Sequence, residues 1–482
     1  MLFNSYEFIF IYLPITFFVY FALAKFRKTK LATGWLVFAS IAFYGYWDIS
    51  YVPLLMASIC FNYFVGVKIE QTNRKKQVLT FGIVCNLLLL GYFKYTDFFL
   101  TTLNDINVVQ IFDLPHIILP LGISFFTFTQ TAYLIDAYRG ETKHYSFMTY
   151  CLFVTIFPHL IAGPIINHKD MIPQFSRLRN FVVNYRNISM GISLFTLGLF
   201  KKVMIADNLS PWVNEIFSKA DTIHFVEAWC GAFGYTFQLY FDFSAYSEMA
   251  IGLGLLFNFR FPQNFDSPYQ STSIIDFWRH WHMTLGYWVK HYLYIPMGGN
   301  RLGEFKKMRN LFVSMFLIGL WHGAGWTFII WGIMHGCMLM VNHQWRRLNL
   351  SMPKPIAWPL TFLCVTLAWV IFKAADLNEA MLMYTAMTDI HQIVLPTVGS
   401  YAQVFGFMGD SISYEIWQIH KALHNILLTL LGLFIAVCLF PNPVKLMRWF
   451  KPNWKWFILT LLLLLLTLYH MNTFTEFLYF QF

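Results

Sequence analysis

Apolar stretches long enough to lie in lipid recur along nearly the whole of this 482-residue chain, separated by short turns rich in lysine and arginine. Backbone N–H and C=O groups find no water in hydrocarbon, so only helices or closed β-barrels can cross it. The runs here are continuous rather than alternating with polar residues, which excludes a barrel. Hydrophobic residues make up 57% of the chain and charged ones 12%. A soluble domain carries about a quarter charged residues. The 53 Phe, 26 Tyr and 17 Trp suit aromatic belts at lipid–water boundaries. The chain therefore reads as an all-α polytopic membrane protein forming one domain, residues 1–482, with no repeat of fixed period.

Candidate spans fall at 7–24, 32–48, 51–68, 78–96, 117–135, 187–205, 224–256, 310–322, 326–342, 357–373, 423–440 and 456–471. They give about 11–12 membrane segments. The net charge of +10 lies mainly in short loops, among them Lys25/Arg27/Lys28/Lys30, Arg74/Lys75/Lys76, Arg346/Arg347 and Lys445/Arg448/Lys451/Lys455. This is the positive-inside pattern rather than a nucleic-acid footprint, so no nucleic-acid partner is expected. Alternation from an outside N-terminus puts the first two basic loops in the cytoplasm and Asp48, Asp105 and Asp113 outside. Both termini are then expected beyond the cytoplasmic membrane. The first apolar segment lacks a basic leader and a small-residue cleavage site, and reads as a retained helix. The seven cysteines, without a CxxC, read as buried thiols.

Alternation fails once. The loops 136–145 and 167–186 are both basic, although the apolar stretch 146–166 lies between them. A re-entrant segment turning at HLIAGP (159–164) resolves this, because non-helical backbone at depth is tolerated where protein buries it. The stretch 274–296 reads as re-entrant or interfacial for the same reason. Segment 310–322 is short: about 13 residues at 1.5 Å rise give about 20 Å, against about 30 Å of hydrocarbon. Its break at Gly323-Ala324-Gly325 leaves His322 at membrane depth, reached through a cavity or a thinned bilayer.

An ionisable group at that depth marks a site by default, and an imidazole exchanges protons near neutral pH. His322 is thus the first site candidate, with His282 in DFWRHWHMTLGYWVKHYLYIPMGGNR the second. Two other readings use the same residues. In a haem protein, His322 and His335 would ligate, but His282 lacks a matching partner near 295 and glycines interrupt the helix between the first pair. In a transporter, Asp242, Glu248 and the histidines would form a proton path. No metal site is expected.

The runs YTFQLYFDFSAYSEMAIGLG (235–254), DFWRHWHMTLGYWVKHYLYIPMGGNR (276–301) and GLWHG (319–323) resemble the membrane-bound O-acyltransferase family. The likeness is to its bacterial branch of alginate O-acetyltransferase, peptidoglycan O-acetylation and teichoic acid D-alanyl transfer subunits. PLGISFFTFTQTAYLIDAYRGE (120–141) and FPHLIAGPI (157–165) extend it to about residue 375. The resemblance implies a ring of helices around a thin centre, with the family's catalytic histidine at His322 and its second signature position at His282. His280 departs from the arginine expected in FWRRWH. The family moves an acyl group from a cytosolic thioester, here acetyl-CoA, to an acceptor beyond the membrane, with no bound cofactor implied. His322 would act as general base. His282 would position it or stabilise charge. An indole such as Trp321, Trp326 or Trp331 would stabilise the oxyanion, and Asp242 and Arg279 would lie nearby. The alternative is a D-alanyl-type transfer subunit or a non-catalytic scaffold.

The chain ends TEFLYFQF, an aromatic tail at 471–482 expected outside by parity. It resembles the tail of the small teichoic acid D-alanylation protein, whose tyrosine carries the acyl group. Eight extended residues reach about 26 Å, enough to return Tyr479 to mid-membrane depth. Tyr479 is therefore the acyl-carrier candidate, against an interfacial anchor as the plainer role. The implied partners are a secreted or periplasmic serine-hydrolase-like acetyltransferase, an extracellular polysaccharide and the lipid bilayer. The implied location is the bacterial inner membrane.

Overall fold

A computed structural model describes residues 1–107, 112–142, 144–392, 426–471 and 478, and no strand occurs among them. A π turn (Phe8–Tyr12) leads into α1 (Leu13–Lys25), followed by α2 (Thr29–Gly45), α3 (Val52–Gln71) and α4 (Lys75–Asn107). Next come α5 (Ile123–Tyr138), which packs on α3 and α4, then the short α6 (Phe147–Thr155), α7 (Phe157–Leu160) and α8 (His168–Phe175). The long rod α9 (Tyr185–Phe200) passes through a π segment (Lys201–Ala206) into α10 (Asp207–Ser218). Helix α11 (Phe225–Leu256) precedes two short helices, α12 (Ile274–His280) and α13 (Met283–Val289). The hairpin α14 (Glu304–His322) and α15 (Trp326–Arg347), then α16 (Lys354–Lys373) and α17 (Leu377–Thr388), follow. Helices Ile426–Leu439 and Trp454–His470 complete the described chain. Side chains of Ser146, Asn184, Ser273, Asp376 and Asn453 accept backbone N–H groups at the helix starts they precede.

Helix α11 is the central pillar, with almost every side chain from Ala228 to Leu256 buried and α9, α10, α16 and α17 packed around it. A helix buried on all faces must neutralise any charge it carries. Lys202 reaches Asp242 at 2.6 Å and Asp207 at 2.7 Å, and Lys201 reaches Glu248 at 2.8 Å. The π segment thus sets two lysines against two carboxylates of α11. Glu248 and Asp242 are consumed in these pairs rather than strung into a path.

Among the described residues, five helical stretches are long and apolar enough to cross a membrane: Phe8–Lys25, Ile49–Gln71, Lys75–Ile106, Tyr185–Ser218 and Lys354–Lys373. A sixth is the pair Ile426–Leu439 and Pro443–Trp449, bent by 46°. The expected 11–12 segments included apolar stretches that fold as short, broken or polar-bearing helices packed inside the protein. Stretch 146–166 breaks at Ile156, ahead of Pro158, into a nine-residue helix and a single turn. That break lies earlier than the HLIAGP turn. Stretch 274–296 breaks at His282, whose φ of 44° is left-handed. Neither forms a helix long enough to span.

Helix α14 corrects the length expected from its apolar core. It begins at Glu304 and runs 19 residues, because Glu304, Lys306, Lys307 and Arg309 add a polar beginning. Its apolar part remains about 13 residues, or about 20 Å. Helix α5 begins at Ile123, later than 117, because Gly122 holds φ 69° beneath the carbonyl of Leu160. Cys151 and Cys230 are buried, whereas Cys337 is exposed and the other four are intermediate, so burial of the thiols is partial.

Candidate active site

The α14–α15 hairpin sets the depth and direction of His322. Glycines 319 and 332 face each other across it. A Cβ on Gly319 would collide with the Phe328 carbonyl, and one on Gly332 would lie 2.6 Å from the Met315 carbonyl. The two backbones are therefore in contact, as small residues allow in membrane helix pairs. His322 ends α14, and the extended glycines 323 and 325 turn the chain into α15.

A helix end leaves its last carbonyls without intrahelical donors. Here α4 supplies them: the Tyr95 hydroxyl donates to the Leu320 carbonyl at 2.6 Å, and Lys94 Nζ donates to the Trp321 and His322 carbonyls, the latter at 3.0 Å. A cation at a helix C-terminus also complements the macrodipole. Lys94 is not among the site candidates named from the sequence, although a lone lysine inside NLLLLGYFKYTDFFL is a legible signal of a buried polar partner.

The His322 ring is 8% exposed and packs edge-on against Trp331 at 5.1 Å and Phe372 at 5.3 Å. Its Nδ1 and the Trp321 Nε1 are buried without a hydrogen-bond partner among the described residues. Buried polar atoms are normally satisfied, so two unsatisfied ones side by side mark a place for a polar group. Both residues line a cavity of about 250 Å³, bounded also by Lys94, Trp47, Ser124 and the stretch 118–123. Trp47 comes from the turn after α2 and Ile118 from the stretch between α4 and α5. Trp321 is fixed by stacking on Phe128 at 4.8 Å, which stacks on Trp288 at 4.0 Å.

His282 sits at the start of α13, 1% exposed, with Phe243 edge-on at 4.8 Å. Its Nδ1 lies 3.0 Å from Asn264 Oδ1, an oxygen that can only accept, so Nδ1 carries the proton and Nε2 the lone pair. Asn264 is itself held by the Thr284 hydroxyl at 2.9 Å and by donating to Ser247 at 3.1 Å. No hydrogen bond between the two imidazoles occurs among the described residues.

A family model described as the membrane-bound O-acyltransferase family matches residues 36–378. The peptidoglycan O-acetyltransferase of Helicobacter pylori is 46% identical over 84% of this chain and 83% of its own. A probable alginate O-acetylase of Azotobacter vinelandii is 44% identical over 80% of this chain and 78% of its own. The teichoic acid D-alanyltransferase of Streptococcus thermophilus is 26% identical over 47% and 57%. The chain belongs to the membrane-bound O-acyltransferase family. It is a membrane acyltransferase.

Not every residue expected near the chemistry of this acyltransferase gathers there. Trp321 and His322 share the cavity. Asp242 is engaged by Lys202, and Arg279 carries an exposed side chain at the end of α12. His335, weighed only as a haem ligand, accepts from Trp278 Nε1 at 3.2 Å and packs on Trp331 at 4.8 Å. It lies on α15 while His322 lies on α14, so no single helix presents both imidazoles. Tyr479 lies outside the described residues.

A second polar cluster ties the broken segments together. His168 lies 3.0 Å from Asp136 and 3.1 Å from the Tyr145 hydroxyl, while Tyr292 donates to Asp136 at 2.6 Å. Side chains from α5, α8 and the stretch after α13 thereby tie these three elements to one another.

Proposed function

We propose that this acyltransferase moves acetyl groups from a cytosolic thioester, acetyl-CoA, across the inner membrane for O-acetylation of an extracellular polysaccharide. An alginate-like polymer is the first choice, with peptidoglycan beside it, since relatives named for both exceed 40% identity. The observation that carries the reading is the pairing of His322 and Trp321 on one cavity, each with a buried nitrogen lacking a partner. In this scheme an acceptor hydroxyl gives its proton to the His322 imidazole as its oxygen attacks the thioester carbonyl carbon. The Trp321 N–H donates to the oxyanion that develops. Collapse breaks the C–S bond, and the imidazolium returns the proton to the departing thiolate. The products are an acetyl ester and free thiol. His282, through its Nε2 lone pair, serves as the positioning partner. Tyr479 is the proposed first acceptor, passing acetyl to a secreted serine-hydrolase-like transferase.

The test is His322→Ala, with polymer acetate and membrane abundance both measured. Acetylation should vanish while the protein accumulates; near-normal acetylation would refute the assignment. Radiolabelled acetyl-CoA given to inverted vesicles should label the protein or its partner. Labelling only by an aminoacylated carrier protein would favour D-alanyl-type transfer.

A further inference from the structure

Four arginines surround a separate cavity of about 360 Å³: Arg177, Arg179, Arg186 and Arg260. All four side chains are exposed, none forms an ion pair among the described residues, and no carboxylate lines the cavity. Its frame is a built network of buried amides. Gln174 clasps the Arg260 backbone in both directions, donating to its carbonyl at 3.1 Å and accepting its N–H at 2.9 Å. Asn180 donates to the Gln174 carbonyl at 2.7 Å. Asn258, left-handed at φ 62°, donates to the Val182 carbonyl at 2.9 Å and accepts from Asn187 at 2.8 Å. Three chain segments are thus pinned to carry the arginines. The start of α9, capped by Asn184, also lines the cavity and adds the positive end of its macrodipole.

Guanidinium groups bind phosphate oxygens in bidentate fashion, and several on one rigid frame bind a phosphate-rich group. The loops 167–186 and 257–273 carry these residues, on the face that the charge rule places in the cytoplasm. From Arg260 the chain runs to Asn264, the hydrogen-bond partner of His282. Four residues span at most about 14 Å. The cavity and the buried imidazole are therefore joined by one short tether.

We propose that this cavity is a phosphate-binding site for the phosphorylated end of the donor thioester, holding it at the cytoplasmic face while the acyl end enters toward His282. The assignment rests on the reading that the donor is a phosphorylated cytosolic thioester. An anionic lipid headgroup shares the phosphate chemistry, and the experiment separates the two.

Purified full-length protein in phosphatidylcholine nanodiscs is titrated with desulfo-CoA and with pyrophosphate. The Arg179→Gln/Arg260→Gln double variant should bind both at least tenfold more weakly, whereas Arg74→Gln, on another basic loop, should match the wild type. The KM for acetyl-CoA should rise by a similar factor with kcat held. Equal binding by the double variant overturns the site. So does a result in which the substitutions alter only retention of phosphatidylglycerol, measured by native mass spectrometry. If pyrophosphate binding depends on these arginines but acetyl-CoA is never turned over, the phosphate site stands and the acetyl-CoA reading falls.

Discussion

Lys94 Nζ on α4 donates to the carbonyl oxygen of His322 at 3.0 Å, and so ties the end of α14 to a helix more than two hundred residues away in sequence. The same ammonium reaches the Trp321 carbonyl. One side chain thereby fixes the backbone of two cavity-lining residues, each of which carries a buried nitrogen without a partner among the described residues. Hydrogen bonds to a charged group contribute about 1.5–3 kcal/mol each, enough to hold the helix end in one geometry.

Lys94→Met keeps the apolar stem and removes the donor. Turnover should fall about tenfold to a hundredfold, the equivalent of roughly 1.4–2.8 kcal/mol, because misplacing a catalytic group by about 1 Å can cost that much. Membrane abundance should fall far less than turnover. Equal acetyl transfer by this variant and the wild type would remove any positioning role.

His282 depends on Asn264 for its tautomer. Asn264→Ala frees Nδ1 and should lower kcat by about tenfold, within the range expected when a buried hydrogen-bond partner is lost. Asn264→Asp keeps an acceptor in place and should restore part of the rate. Steady-state acetyl transfer by the two variants decides the point; identical losses would show that the amide serves packing alone.

Asp242 is expected to matter for folding rather than chemistry. Asp242→Ala leaves Lys202 its contact with Asp207 but removes a buried hydrogen bond between charged groups, a loss of about 1.5–3 kcal/mol. The variant should accumulate poorly and melt earlier in detergent. A stable, abundant but inactive Asp242→Asn protein would instead move this residue into the reaction.

Gly319 tolerates no side chain. Gly319→Val would drive methyl groups into the Phe328 carbonyl and the Gly332 backbone, separating α14 from α15. Loss of tight packing on this scale costs at least about 2 kcal/mol. Thermal stability in detergent should drop, and His322-dependent activity with it. An unchanged melting temperature would contradict the close contact.

Tyr479→Phe removes only a hydroxyl from the tail. Polymer acetylation should be lost while abundance and His322-dependent thioester consumption by an added alcohol persist. Normal polymer acetylation would make the tail an anchor.

The membrane class was legible in the linear chain, which also singled out His322 as the first site candidate. Long apolar runs have few physical solutions, and a charged or polar group within them must be justified. Local chemistry also marked the breaks: Pro158 and the paired glycines at 323 and 325 end helices wherever the chain folds. What stayed hidden was partnership. Nothing in sequence spacing connects Lys94 to His322, Asn264 to His282, or Lys202 to Asp242, because each pairing spans separate helices and forms only when they pack. Apolar composition likewise could not tell a lipid-facing helix from one such as α11, sheathed in protein, since both exclude water. The sequence by itself determined that these segments must be helical and which imidazole to watch. The tertiary structure decided which buried charges neutralise one another and which buried nitrogens are left without a hydrogen-bond partner among the described residues.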